Sequence, residues 1–200
     1  MSLPAPPAAL PEASGRAFLG IIRSVKEAHG AAELTSVVAA AGEETQVAFA
    51  SRIRHSGWYP YAAFAGFLTA LEQRFSHGDP GYGRRLGASS GVKDINSIFR
   101  IYLAIASPER LIRGCSRVWP SYYRQAGEME ATAWAPELTT LRITGFPAMA
   151  PAHCRLMEGW MIATMEALGL GVSESAGETL CTSRGDPHHE FSCTWSRQGR

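Results

Sequence analysis

The hydrophobic period of this chain changes once, just after Gly127, and that change limits the fold to a helical half followed by a sheet-forming half. Before it, apolar residues recur at helical spacing. Phe18, Ile21, Ile22 and Val25 share one face, and Gly30 stops that element. A second short helix is expected over Ala31 to Ala41. The run from His55 to Pro60 turns the chain into a third, striped by Tyr61, Phe64, Phe67, Leu68 and Leu71 and ended by the Gly/Pro cluster after His77. Arg84 to Gly87 read as a short helix and Gly87 to Lys93 as a connector. Asp94 then caps a longer helix carrying Ile95, Ile98, Phe99, Tyr102 and Ile105. Ser107 and Pro108 start another that runs to about Arg124.

Beyond Gly127 the alternation is that of strands. Glu128 to Ala135 and Leu138 to Phe146 form two, and in the second Leu141 and Ile143 alternate with Arg142 and Thr144. Pro147 to Pro151 break the sheet. A helix from about Ala152 to Leu168 follows, with Leu156, Met157, Trp160 and Met161, and a terminal hairpin closes the chain. The expected fold is α+β: a helical N-terminal half packed on a four-stranded antiparallel sheet of strand–strand–helix–strand–strand order. Residues 15–200 make one domain without repeats, and the Pro/Ala-rich residues 1–14 are expected to be a disordered tail.

Composition narrows the function. Two hundred residues suffice for a real core, and a formal charge of +1 gives no electrostatic case for nucleic acid or an anionic membrane. No secretory leader or apolar run of about 18 residues is evident. The four cysteines, Cys115, Cys154, Cys181 and Cys193, form no CxxC pair, so a cytoplasmic protein with reduced thiols is expected. Catalytic motifs fail one by one. The Gly87–Lys93 run is one residue short of a phosphate loop, and Asp94 stands where Ser or Thr would hold magnesium. There is no Gly-x-Ser-x-Gly elbow. His153 and Cys154, neighbours at a helix start, do not face one another. The chain is not expected to be an enzyme. Trp119, Tyr122, Tyr123, Trp134, His153 and Trp160 fall on elements around the helix–sheet interface, where they line a pocket for a small hydrophobic molecule or simply pack the core.

The terminal hairpin carries the chemistry. Glu178 and Cys181 precede the turn Arg184-Gly-Asp-Pro187, and His188, His189, Phe191, Cys193 and Trp195 follow it. With the order of elements, Gly87 after Arg84-Arg85-Leu86, the Trp119-Pro120 region and the stretch from Phe191 to Trp195, the chain resembles the 4-vinyl-reductase-like domain. That architecture is shared by haem-NO-binding-like domains and by subunits of the TRAPP tethering complex; the chain is most similar to a myxobacterial family of about this size. The resemblance implies a sensory or adaptor module that encloses a small apolar ligand, or a scaffold that pairs as a homodimer. In aromatic-sensing relatives a zinc ion is held by Cys, by Glu-x-x-Cys and by a Cys eight residues on. Here those positions are Cys154, Glu178, Cys181 and His189, and His is a competent zinc ligand. The Tyr-x-Ser-x-Arg haem-propionate signature is absent, so no cofactor is expected apart from this zinc option.

Geometry leaves the metal open. Glu178 and Cys181, three apart, point to opposite faces of a regular strand. A tight turn would set His189 across from Thr182, and only a bulge or a longer loop would bring Cys181 to it. Otherwise Cys154 and Cys181 are small buried hydrophobes while Glu178 and His189 are surface residues. A ligand cavity of several hundred cubic ångströms would favour sensing, a solid core scaffolding, and a reductase-like enzyme is the remaining reading.

Overall fold

The computed structural model describes residues 9–94, 108–135 and 138–197. Strand β1 (Glu12–Ser14) enters helix α1 (Gly15–His29), followed by α2 (Ala31–Ala40) and α3 (Glu43–Phe49). Strand β2 (Trp58–Pro60) leads into α4 (Tyr61–Phe75), and α5 spans Tyr82–Asp94. Two short helices, α6 (Pro108–Arg113) and α7 (Cys115–Val118), and a 3-10 turn at Trp119–Ser121 reach β3 (Tyr123–Arg124). The expected helix carrying Ile95 to Ile105 lies outside the described residues.

The second half follows the alternating pattern. Strands β4 (Glu128–Ala135) and β5 (Leu138–Thr144) precede helix α8 (Pro151–Ala167), then β6 (Leu170–Val172), β7 (Gly177–Leu180) and β8 (His189–Arg197). The α+β fold is as expected, with one more strand than four. The order is β4-β5-β8-β6, and β7 pairs with the same edge of β8 as β6, one stretch earlier. Leu141 lies opposite Phe191 and Ile143 opposite His189, all on the buried face.

Two expectations need correction. Glu12–Ser14, expected to belong to a disordered tail, is a strand: it pairs with both β2 and β3 in a separate three-stranded sheet, and Ala13 is fully buried. Asp94 is the last described residue of α5, and the helix it was expected to cap lies outside the described residues. The glycine-rich connector is the body of α5 itself, since the helix runs unbroken through Gly87 and Gly91. Glycine is a poor helix former in isolation, but here the backbones of α5 and α8 touch. A Cβ on Gly87 would lie 1.9 Å from the Leu156 carbonyl oxygen, and one on Gly159 would lie 1.8 Å from that of Arg84. The two helices meet through these glycines, and the ion pair of Arg155 with Glu72 ties α8 to α4 beside them.

Candidate metal centre and apolar cavity

Helix α8 serves two places with its first turn. His153 turns into the helical half and Cys154 toward the β7–β8 hairpin, so the neighbours diverge and form no catalytic pair.

At the hairpin, a register shift between Glu178 and Leu180 breaks the regular alternation of β7. The bulge is the feature the metal geometry required. Glu178 and Cys181 now share a side with His189, and one ligand atom each from Cys154, Glu178, Cys181 and His189 falls within 4.8 Å of the others. His189 is fully buried and the Glu178 side chain is 7% exposed, so neither is the surface residue of the bland alternative. Metal bonds of about 2.3 Å to sulfur and about 2.0–2.1 Å to nitrogen or oxygen make tetrahedral edges of about 3.8 Å (S–S), about 3.6 Å (S–N) and about 3.4 Å (N–O). The corresponding separations are 3.8 Å for Cys154 Sγ to Cys181 Sγ, 3.5 Å for Cys154 Sγ to His189 Nδ1, and 3.1 Å for His189 Nδ1 to Glu178 Oε1. Three of the six separations come within about 0.3 Å of tetrahedral edges, and the other three are no longer than 4.8 Å.

A surrounding set of contacts holds them so. The far ring nitrogen of His189, Nε2, lies 2.8 Å from Thr182 Oγ1, the orienting bond a ligating imidazole ordinarily makes through its other nitrogen. Ser183 Oγ is 3.0 Å from Cys181 Sγ, and the Cys181 N–H donates to Asp186 Oδ2 at 2.8 Å. Arg184 reaches Glu178 Oε2 at 3.4 Å, and Gly185 takes a left-handed turn at φ 92° that a side chain would strain. Burial, followed by the adjacent Glu178 carboxylate, pushes the Cys154 thiol far above its ordinary pKa. Burial also acts to raise Glu178, but hydrogen bonds from His189, Cys154 and Cys181 outweigh it and hold the carboxyl below its usual range. Without a cation, the pocket disfavours the thiolate that a metal requires; a divalent ion would reverse that balance. The Thr182 and Ser183 supports were missed from sequence, where only their place in the turn beside the ligands hinted at them.

The second place is a cavity of about 100 Å³ between the helices and the sheet. Trp119, Tyr122, Tyr123 and Trp160 line it, as their positions suggested. The side chain of Trp134 lies outside the described residues. His153 is not on the wall; it stands behind it, its ring 4.9 Å from Tyr123 and 6.3 Å from Trp119 between centroids. The helix α8 stripe Met157, Met161 and Met165 forms much of one side, faced by Met129 from β4 and Cys115 from α7. Sequence reasoning passed over this thioether stripe, although its i, i+4, i+8 spacing was visible. The lining hydroxyls of Ser90 and Thr164 are spent on carbonyls of their own helices, and Thr139 Oγ1 accepts from Trp195. The wall therefore suits apolar contents.

No family model matches the chain, and no curated protein does. Solved structures do. An H-NOX protein from S. oneidensis, a triple mutant in the Fe(II) ligation state, superposes with a TM-score of 0.71 at 11% identity over 94% of this chain and 98% of its own. The protein in the Fe(II)NO state gives 0.70 at 11% identity over 92% and 99%. An oxygen-binding H-NOX domain related to soluble guanylate cyclases, as its oxygen complex, gives 0.63 at 10% over 93% and 95%. The chain has the haem-NO-binding fold.

This comparison corrects the expectation of no cofactor: solved proteins of this fold are in Fe(II) and Fe(II)NO ligation states and another is an oxygen complex, which points to haem. The described residues do not fit that group. The cavity is well below the roughly 300–1,000 Å³ that drug-sized ligands occupy. None of the six histidines lines it, and among the described lining residues none carries a positive charge for the propionates. Among the described residues no helix is long and apolar enough to cross a membrane.

Proposed function

We propose that this chain is a non-catalytic sensory domain that takes a small, neutral, apolar molecule into the cavity between α8, the N-terminal helices and the sheet. The observation that carries this reading is the cavity wall: thioether and aromatic side chains, with the hydroxyls of Ser90, Thr139 and Thr164 already engaged. Apolar cavities of about 150 Å³ stay dry and admit benzene or xenon, and a wall rich in flexible Met adjusts to its contents. A ligand of single-ring size matches this space. The solid-core scaffold reading keeps some support, because the space is smaller than the several hundred cubic ångströms set as the mark of a sensor.

Cys154, Glu178, Cys181 and His189 hold one zinc ion in this reading. Four protein ligands with no open position make a structural site. It ties α8, which forms the cavity's thioether wall, to the hairpin that completes the sheet. The four converging side chains support reading the chain with the 4-vinyl-reductase-like, aromatic-sensing members of the fold. The signal passes through a homodimer formed by the helical half. Supporting this, α2 and α3 expose the apolar Ala31, Ala32, Ala39, Ala40 and Val47, with the exposed Glu43 and Glu44 confined to the first turn of α3.

Native mass spectrometry of the purified protein tests all three parts together. The expected species is a dimer with one zinc per chain that takes up added single-ring ligands. A metal-free monomer that takes up none, or a haem-loaded protein with a Soret band, would overturn the reading.

A further inference from the structure

Thr139 breaks the pattern of its strand. On β5 the positions Thr139, Leu141 and Ile143 alternate with Leu138, Thr140 and Arg142, and the first three are all buried on one face. Such a face calls for apolar side chains. The first of the three is nevertheless a threonine, 1% exposed, and it lines the cavity directly, as Leu141 does.

Its hydroxyl is bonded the opposite way from the other two aliphatic hydroxyls of the wall. Ser90 Oγ donates to the Gly87 carbonyl at 3.0 Å and Thr164 Oγ1 to that of Trp160 at 2.7 Å, so each spends its proton on its own helix. Trp119, on the same wall, gives its indole N–H to the Ala126 carbonyl at 3.2 Å. Thr139 Oγ1 instead accepts, taking the Nε1–H of Trp195 at 3.1 Å. An indole nitrogen only donates. The bond therefore occupies a lone pair of the threonine and leaves its proton unspent, with no acceptor for it among the described residues. A buried donor without an acceptor is costly, and native structures seldom keep one without a reason.

Resting on the cavity reading above, we infer that Thr139 selects the ligand: the molecule in the cavity carries one hydrogen-bond acceptor, and that acceptor takes the Thr139 O–H. The ligand class is a small neutral ketone, ether or nitrile on an apolar body of single-ring size, and not a pure hydrocarbon. A charged acceptor is disfavoured, because none of the described lining residues carries a countercharge.

The test uses two probes of nearly equal shape, acetophenone and α-methylstyrene, which differ in C=O against C=CH2. Binding is measured by calorimetry, with melting curves to verify folding. Thr139→Val deletes the hydroxyl but leaves the Trp195 N–H without its partner, and that variant is exposed to misfolding. A second comparison therefore sets Thr139→Val/Trp195→Phe, where both partners are gone, against Trp195→Phe alone. In each comparison loss of the hydroxyl should weaken acetophenone by about five- to tenfold, the size of a lost buried hydrogen bond. α-Methylstyrene should change by less than about threefold, because its contacts are those of area alone. Thr139→Ser, which keeps the hydroxyl, should keep the preference for the ketone. The half-buried Trp160 lines the same space and carries another N–H donor, so Trp160→Phe serves as the control. Equal changes for both probes, no change for either, or a ketone-selective loss in Trp160→Phe that Thr139→Val lacks would overturn the inference while leaving the cavity as a ligand site. Failure of both probes to bind the wild type would remove the cavity reading and this inference with it.

Discussion

Stripping the metal should loosen the molecule by an amount that can be worked out. A ligand that binds only the folded state stabilises it by RT ln(1 + [L]/Kd), about 2.7 kcal/mol at a hundredfold excess over Kd and about 4.1 kcal/mol at a thousandfold. For a chain of this length each kcal/mol moves the melting temperature by about 2–4 °C. Chelating zinc from loaded protein should therefore lower it by about 5–16 °C, and returning zinc should restore it. Cys181→Ser removes one of the four proposed zinc ligands, whose sulfur lies 3.8 Å from that of Cys154. That variant should melt near the chelated wild type and ignore both chelator and zinc. The assay is differential scanning fluorimetry on protein whose zinc content is measured first. Metal-loaded wild type that melts within about 1 °C with and without chelator would refute the reasoning, because linkage permits no such indifference for a site present only in the folded state. So would a Cys181→Ser variant that still responds to chelator as fully as wild type.

Other consequences follow from the packing. Gly87→Ala or Gly159→Ala forces a methyl against a carbonyl oxygen under 2 Å away and should cost about 1–3 kcal/mol or more in denaturant unfolding. Gly42→Ala, where a Cβ meets nothing within 4 Å, should cost far less. Thr182→Val deletes the partner of His189 Nε2 and should weaken zinc by about 10–100-fold in competition with a chelating dye, with the fold intact. Burial pushes the Cys115 thiol up to about 11, so at pH 8 about one thiol in a thousand is ionised. Native protein should leave Cys115 unlabelled by a thiol reagent that modifies it readily after unfolding.

Much of the fold could be read from pattern alone, and the parts that could not share a cause. The strand Glu128–Ala135 and the helix beginning at Pro151 stand where the period changes, because each buries one regular face and periodicity records that burial. Helix α5 was misread because Gly87 and Gly91 weaken a helix locally; only the approach of α8, distant in sequence, makes them favourable. Strand β1 is three residues long, too short for an alternation to register, and its pairing with β2 and β3 is wholly tertiary. The metal candidates were legible as residue types at a spacing, but not as a site. Whether Glu178 and Cys181 share a face depends on one irregularity beside Thr179, and a bulge leaves no mark that composition or period would detect. The cavity was anticipated through its aromatic residues, whereas the thioether half was hidden among ordinary core positions of α8.

The most direct test is methionine-methyl NMR. Four of the six methionines, Met129, Met157, Met161 and Met165, line the cavity, while the buried Met149 is not among its lining residues. On titration with a single-ring aromatic ketone, the account predicts saturable shifts of the four cavity methyl signals, with Met149 nearly unmoved. Signals from the four that stay fixed at saturating ketone, or that move no more than Met149 does, would contradict it.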